Sequence, residues 1–165
     1  LAMDQRHHKH PLRGISPLLA KYEPDIALVP LIHREVSKHG KEGKKLKFGG
    51  SSTHGVLWLS RVTGFMLQFL GGVCRGAAIP PSDAARDAYN AVLKPYHGWI
   101  VASVVRLAFS AIPSREGLHA AFKFGSEAQA MEGFTVTRDA LDPVVTALTT
   151  WLETSGLNFP DKVSV

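Results

Sequence analysis

Gly55-Val56-Leu57-Trp58-Leu59-Ser60-Arg61 opens the longest apolar periodic segment of the chain, which continues through Val62, Phe65, Met66, Phe69, Leu70 and Val73. Apolar residues fall nearly all round a helix drawn through it, so it reads as a central, buried helix. Ser51 or Ser52 stands where an N-cap would. Strand signals are sparse elsewhere. Val104-Val105 and Val144-Val145 are β-branched pairs inside helical spacing, and Phe134-Thr135-Val136-Thr137 is too short to start a sheet. The pattern predicts an all-α fold.

Working outward, Asp25 is placed to cap a helix to about Lys38, with Ile26, Val29, Ile32 and Val36 on one face and Pro30 in the first turns. Residues 40–50, rich in Gly and Lys, read as a solvated loop. Ser82 predicts the cap of a helix from Ala84 to Leu93, and Pro95 the start of one from Tyr96 to Ala111. A short helix follows near Glu116–Phe124, then a turn or two at Ser126–Met131. Thr137 is read as the cap of the last helix, kinked or broken at Pro143 and ended by Gly156. Residues 1–13 form a polar, poorly packed segment, and 14–165 read as one domain.

The chain has 165 residues, 45% apolar and 20% charged, which is the balance of a soluble globular domain rather than a disordered one. Its net charge of +5 permits anionic surfaces as partners. The single cysteine, Cys74, cannot form an internal disulfide and reads as a small apolar residue, so a reducing, cytoplasmic setting is expected. No run reaches the roughly 18 to 20 uninterrupted apolar residues of a membrane span.

Candidate chemistry is thin. His97 sits between Tyr96 and Trp99, where it either bonds a ligand head group or caps a first turn. Trp58 is either a stacking platform or a core indole, with Arg61 paired in the second case to Asp87 or Glu35. His7, His8 and His10 lack carboxylate or thiolate companions at fixed spacing, so no metal is read. His33 and Glu35 do not share a helix face, and no phosphate loop or nucleophile motif occurs. No enzyme, cofactor or catalytic residue is expected. The lysines of 41–47 lack interleaved aromatics, so no nucleic acid is expected either.

The segments Gly55–Phe65, Ala88–Val101 and Ala108–Pro113 together resemble the glycolipid transfer protein family, above all in Leu57-Trp58-Leu59-Ser60-Arg61 and Tyr96-His97-Gly98-Trp99-Ile100. The likeness runs from about Gly14 to Phe124 and is weaker beyond. It implies a two-layer helical sandwich that carries a sphingolipid between membranes without chemistry. By the resemblance, Trp58 lies under the first sugar and His97 bonds the ceramide amide carbonyl. Trp99 touches the bilayer, while Val105, Phe109 and Ile112, with Phe65, line the acyl pocket. Arg61 and His54 complete the head-group region.

One departure stands out. The family pattern D-x-x-G-N-I-x-K, aligned through Tyr22, falls on Pro11, Ile15 and Leu18, none of which grips a sugar or an amide. The N-terminal helix or helices are therefore expected to be missing or altered, or ordinary head-group recognition to be lost. Phosphoceramide-binding relatives carry Arg at the platform and another Arg a turn earlier. Here those positions hold Trp58 and His54, which favours a neutral glycosylceramide. The alternatives are a ceramide-1-phosphate carrier, or a lipid sensor that docks on membranes without transfer. The expected protein is cytoplasmic and peripheral at membranes.

Overall fold

The computed structural model describes residues 28–41, 43, 50–76 and 78–162. The expectations for Pro11, Ile15, Leu18, the first histidines, the Asp25 cap and the N-terminal helices lie outside them. Among the described residues every regular element is helical: α1 Leu28–His39, α2 Ser52–Cys74, α3 Pro81–Val92, α4 Trp99–Ala108, α5 Arg115–Ala121 and α6 Glu127–Thr154. Short 3₁₀ turns at Lys94–Tyr96 and Phe109–Ala111 flank α4.

The central helix is α2, with α3 and α6 packed along it. Both run antiparallel to it. Leu57 near its start meets Leu152 near the end of α6, whereas Leu70 and Val73 meet Ala130 and Phe134 near the beginning of α6. On the α3 side a Cβ built on Gly72 would lie 2.8 Å from the Cβ of Ala84, so the bare glycine is what lets the two backbones approach. By length and composition α2 is apolar enough to cross a membrane. In this fold its length serves instead to carry two neighbours and two apolar clusters. Ile32 of α1 joins the first cluster, with Leu157 and Phe159 from the tail.

Polar side chains fasten the ends of the helices. Ser51 caps α2 by accepting from the His54 amide at 3.0 Å. The Glu35 carboxylate adds bonds from the amides of Ser52 (2.8 Å) and Thr53 (2.9 Å) and from the Thr53 hydroxyl (2.7 Å). An anion at a helix N-terminus also complements the dipole, so Glu35 ties α1 to α2. At the opposite end, buried Arg115 gathers the carbonyls of Val73, Gly76 and Ile79, where the dipole is negative. At the end of α6, Gly156 adopts φ +70°. Its amide bonds Glu153 O and that of Leu157 bonds Leu152 O, which together form a Schellman cap.

Several boundaries differ from the sequence reading. Helix α3 starts at Pro81, not after Ser82, because Pro at the first helical position lacks only an N–H that has no partner there. No helix spans Tyr96–Ala111: His97 is extended, with φ −102° and ψ 134°, and α4 begins at Trp99. The final helix is one element from Glu127, capped by Ser126, which absorbs Phe134–Thr137 and passes Pro143 unbroken. Pro143 and Asp139, whose carbonyl has no helical N–H to accept from there, are both exposed, so that carbonyl is open to solvent.

Glu35 generates the first prediction. Burial works to raise its pKa, but the bonds from Thr53 and Ser52 outweigh that and hold it below the usual carboxylate range. A depressed carboxylate stabilises above its unfolded pKa of about 4.3 and loses the contribution as pH falls through the folded value. Glu35→Ala should cost about 1 kcal/mol at neutral pH. In urea denaturation the gap from the parent should close as pH drops below about 4.

Candidate functional site

The site forms where α2, α3 and the extended link before α4 converge. Trp58 projects from α2, and the link carries His97 against it. Their rings stack with centroids 5.5 Å apart and planes 14° from parallel. His97 is held from behind by buried Tyr89 of α3, whose hydroxyl lies 3.1 Å from Nδ1. Phe109 meets the edge of Tyr89 at 5.6 Å. The break between the 3₁₀ turn and α4 is what allows this arrangement, because an extended His97 swings out of the helical path.

Electrostatics favour the neutral imidazole. Burial depresses the His97 pKa, and the nearby positive charge of Arg61 lowers it further. Burial raises that of Tyr89, with Arg106 opposing, so the phenol keeps its proton. A buried hydroxyl left without an acceptor costs about 1–3 kcal/mol. Tyr89 therefore donates to Nδ1, and the neutral ring carries its proton on Nε2. In that tautomer the free donor of His97 is Nε2.

Arg61 does not pair with Asp87 or Glu35. Its Nη2 donates to Asn158 Oδ1 at 3.0 Å and to the Phe159 carbonyl. The guanidinium carbon sits 3.5 Å from the Tyr96 ring centroid and 5.1 Å from that of Trp58. Glu35 is engaged at the start of α2, and among the described residues no carboxylate forms an ion pair with Arg61. Neutral carbonyl acceptors and ring faces thus replace a counter-ion. His54 lies one turn before Trp58, ring centroids 6.2 Å apart, and among the described residues its buried Nδ1 has no hydrogen-bond partner. Tyr96 and Tyr89 fell inside the segments that carry the family resemblance but were given no role there, and nothing in the sequence pattern marked Asn158.

Phe65 stacks with Phe69 at 6.4 Å on α2, whereas Val105, Phe109 and Ile112 are half-buried on and beyond α4. A cavity of about 370 Å³ opens between α2 and α6 under Arg61 and Tyr96, with Ser60 and Thr149 bonded across it at 2.8 Å. A second, of about 490 Å³, opens beside His97 and Trp99. Neither is lined by Trp58 or by the four predicted pocket residues. Trp99 is 80% exposed at the start of α4. Among the described residues no cluster of His, Cys, Asp and Glu is suited to a metal ion.

Residues 12–124 match the sequence model of the glycolipid transfer protein family. The chain belongs to that family. It is 33% identical over 115 residues to the ceramide-1-phosphate transfer protein of Mus musculus, a stretch covering 69% of this chain and 49% of the mouse protein. It is 38% identical over 84 residues to pleckstrin homology domain-containing family A member 8 of Danio rerio, covering 51% of this chain and 15% of that one. The chain thus spans about half or less of the length of these relatives. Among solved structures, human ceramide-1-phosphate transfer protein bound to its lipid superposes with a TM-score of 0.74 at 23% identity, covering 90% of this chain and 73% of the other. FAPP2, described as selecting simple glycosphingolipids with this fold, gives 0.71 at 25% identity, covering 90% and 72%. The fold is therefore the two-layer, all-helical sandwich of this family, whose members carry lipids rather than catalyse reactions.

The Arg61–His97 coupling is testable. Arg61→Gln removes the positive charge and should raise the His97 pKa, while burial keeps it below the free imidazole value. A nitrogen-detected NMR titration of the ring reads both the pKa and the tautomer, and an unmoved pKa would dissociate the two groups.

Proposed function

We propose that this protein binds a sphingolipid, with a glycosylceramide as the favoured ligand, and moves it between membranes from the cytoplasmic side. The observation that carries the reading is the Trp58–His97 stack backed by Tyr89. An indole is a flat apolar surface with an N–H at its edge, which suits the C–H-rich face of a sugar. The proton on His97 Nε2 suits an amide carbonyl, which would otherwise lose its water partner on entry. Leaving such a group unpaired costs about 1–3 kcal/mol. His54 and Arg61 border the same indole and supply further polar edges.

The lipid tails supply affinity at about 0.8 kcal/mol per methylene removed from water. Val105, Phe109, Ile112 and Phe65 are the side chains proposed to meet them, and Trp99 is proposed to touch the bilayer. A phosphate head group is the second reading. It is favoured by the similarity to the mouse ceramide-1-phosphate transfer protein and by the absence of an ion-pair partner for Arg61 among the described residues. The platform position, however, holds an indole rather than a cation, which favours the neutral sugar.

Vesicle-to-vesicle transfer of fluorescent galactosylceramide and of ceramide-1-phosphate, with native mass spectrometry of the loaded protein, tests both readings. His97→Leu removes one hydrogen bond to the carbonyl and should slow galactosylceramide transfer about tenfold. Trp58→Ala should slow it further by removing the platform. Parent protein that neither captures nor moves either lipid would defeat the proposal, and preferential capture of the phosphate lipid would select the second reading.

A further inference from the structure

The 370 Å³ cavity between α2 and α6 is lined neither by Trp58 nor by the residues proposed to meet the lipid tails, and its ends differ in chemistry. The two helices are antiparallel, so position along them orders the lining. Toward the start of α2 lie Arg61, Thr149, Glu153 and Asn158. One turn further on, Gly64, Leu67, Val92 and Val145 offer only apolar surface. Gln68 and Asp142, both exposed, stand at the far end. The volume suits a small molecule rather than a lipid.

Arg61 is the decisive group at the polar end. It is only 7% exposed, and among the described residues its Nε has no hydrogen-bond partner and no carboxylate forms an ion pair with it. A buried guanidinium with a donor to spare suits a carboxylate. A simple anion, however, would be opposed by Glu153, which lines the same end and also forms no ion pair among the described residues. Glu153 stands one turn beyond Thr149 on α6, so the two share a face. The Thr149 hydroxyl, bonded to Ser60, keeps a lone pair, and carboxylate and hydroxyl together suit an ammonium. One concavity thus holds a cation and a carboxylate that do not pair with each other, and a ligand bearing both charges in reverse satisfies the two at once. The apolar stretch has room for that ligand's body. A Cβ built on Gly64 would lie 3.6 Å from Val92 Cγ1 and 4.0 Å from Val145 Cγ1, ordinary contact distances, so the bare glycine leaves the space over it open.

We propose that this cavity binds a free α-amino acid with an apolar side chain, its carboxylate on Arg61, its ammonium on Glu153 and Thr149, and its side chain over Gly64. The site does not depend on lipid carriage, but it shares Arg61 with the indole site, where the guanidinium carbon lies 5.1 Å from the Trp58 ring. A carboxylate on Arg61 would offset the positive charge felt by His97, so an occupied cavity would be registered at the imidazole.

The test titrates the full chain with L-leucine and L-phenylalanine by calorimetry. Whichever binds more tightly is compared with the matching acid that lacks the ammonium and the matching amine that lacks the carboxylate. Each analogue should bind about tenfold more weakly, one charge-assisted bond having been lost. Two variants locate the ligand, and a thermal melt checks that each folds like the parent. Gly64→Leu fills the apolar stretch and should abolish capture. Glu153→Gln, at an exposed position, should weaken the amino acid about tenfold while leaving the deaminated acid unchanged, a pattern that a structural role for Glu153 would not produce. Saturating the parent with the amino acid should raise the His97 pKa in a nitrogen-detected NMR titration. Failure of both amino acids to bind at millimolar concentration overturns the proposal, as does equal binding by the amine or undiminished binding to Gly64→Leu. Binding that leaves the His97 pKa unmoved places the carboxylate away from Arg61 and overturns it as well. Failure of galactosylceramide transfer would defeat the lipid reading alone, since the amino-acid titration needs no lipid.

Discussion

A helix with apolar side chains on almost every side cannot be buried by a single neighbour, and α2 sets that requirement for the whole fold. Helix α3 covers one side and α6 another, in both cases antiparallel and along most of its length. A third strip remains open: Leu59 is 62% exposed, Val62 46% and Met66 40%. Helix α4 repeats the theme, for it is strongly apolar and has no buried residue. Scattered exposed apolar residues are ordinary, but runs of them on successive helices mark surfaces meant to meet something apolar. In a lipid-carrying family such surfaces are where function and packing compete for the same side chains.

The buried polar groups show how that core is kept specific. Arg61 is 7% exposed yet has neutral acceptors and aromatic faces around it instead of a carboxylate. Desolvation is costly for any buried charge, and delocalising it against Tyr96 lowers that cost without cancelling its field. The uncancelled field is felt at His97, which it helps to keep neutral. Had Arg61 paired with Glu35, the field would have been screened and the start of α2 left without its anion. The two residues are thus assigned to separate tasks by position alone.

How much of this was legible in the sequence follows from what each signal depends on. Local signals performed well where the chemistry is local: Ser51 and Gly156 mark their helix ends, and Ile32 and Leu57 fall on buried faces. Ser82 misled as a cap because Pro81 itself occupies the first helical position, and Thr137 and Pro143 misled because cap and breaker residues are tolerated inside an exposed stretch of a long helix. The Trp58–His97 pairing came from family resemblance. Spacing cannot reveal that residues 39 positions apart stack, because a backbone break at His97 makes the contact. The roles of Tyr89, Tyr96, Asn158 and Arg115 were illegible for the same reason, since their partners are carbonyls and rings brought in from elsewhere in the chain. The polar end of the cavity between α2 and α6 was not grouped either: Arg61 and Glu153 belong to helices far apart in the chain, and only the fold brings them to one concavity.

Lipid exchange constrains how strong any of these contacts can usefully be. A methylene gains about 0.8 kcal/mol on leaving water whether it enters a bilayer or a protein. The tails therefore contribute little to the difference between the two states, and the head group decides the balance. In the proposed complex a donor at His97 Nε2 would offer the amide carbonyl one bond, worth about 1 kcal/mol net. A permanently charged donor in the same place would hold the group at about 1.5–3 kcal/mol and slow its release by the corresponding factor. The arrangement that depresses the His97 pKa, burial reinforced by the Arg61 charge, thus fits the proposed carrier on kinetic grounds as well, because a neutral donor would grip a lipid more weakly than a charged one and release it faster at the next membrane.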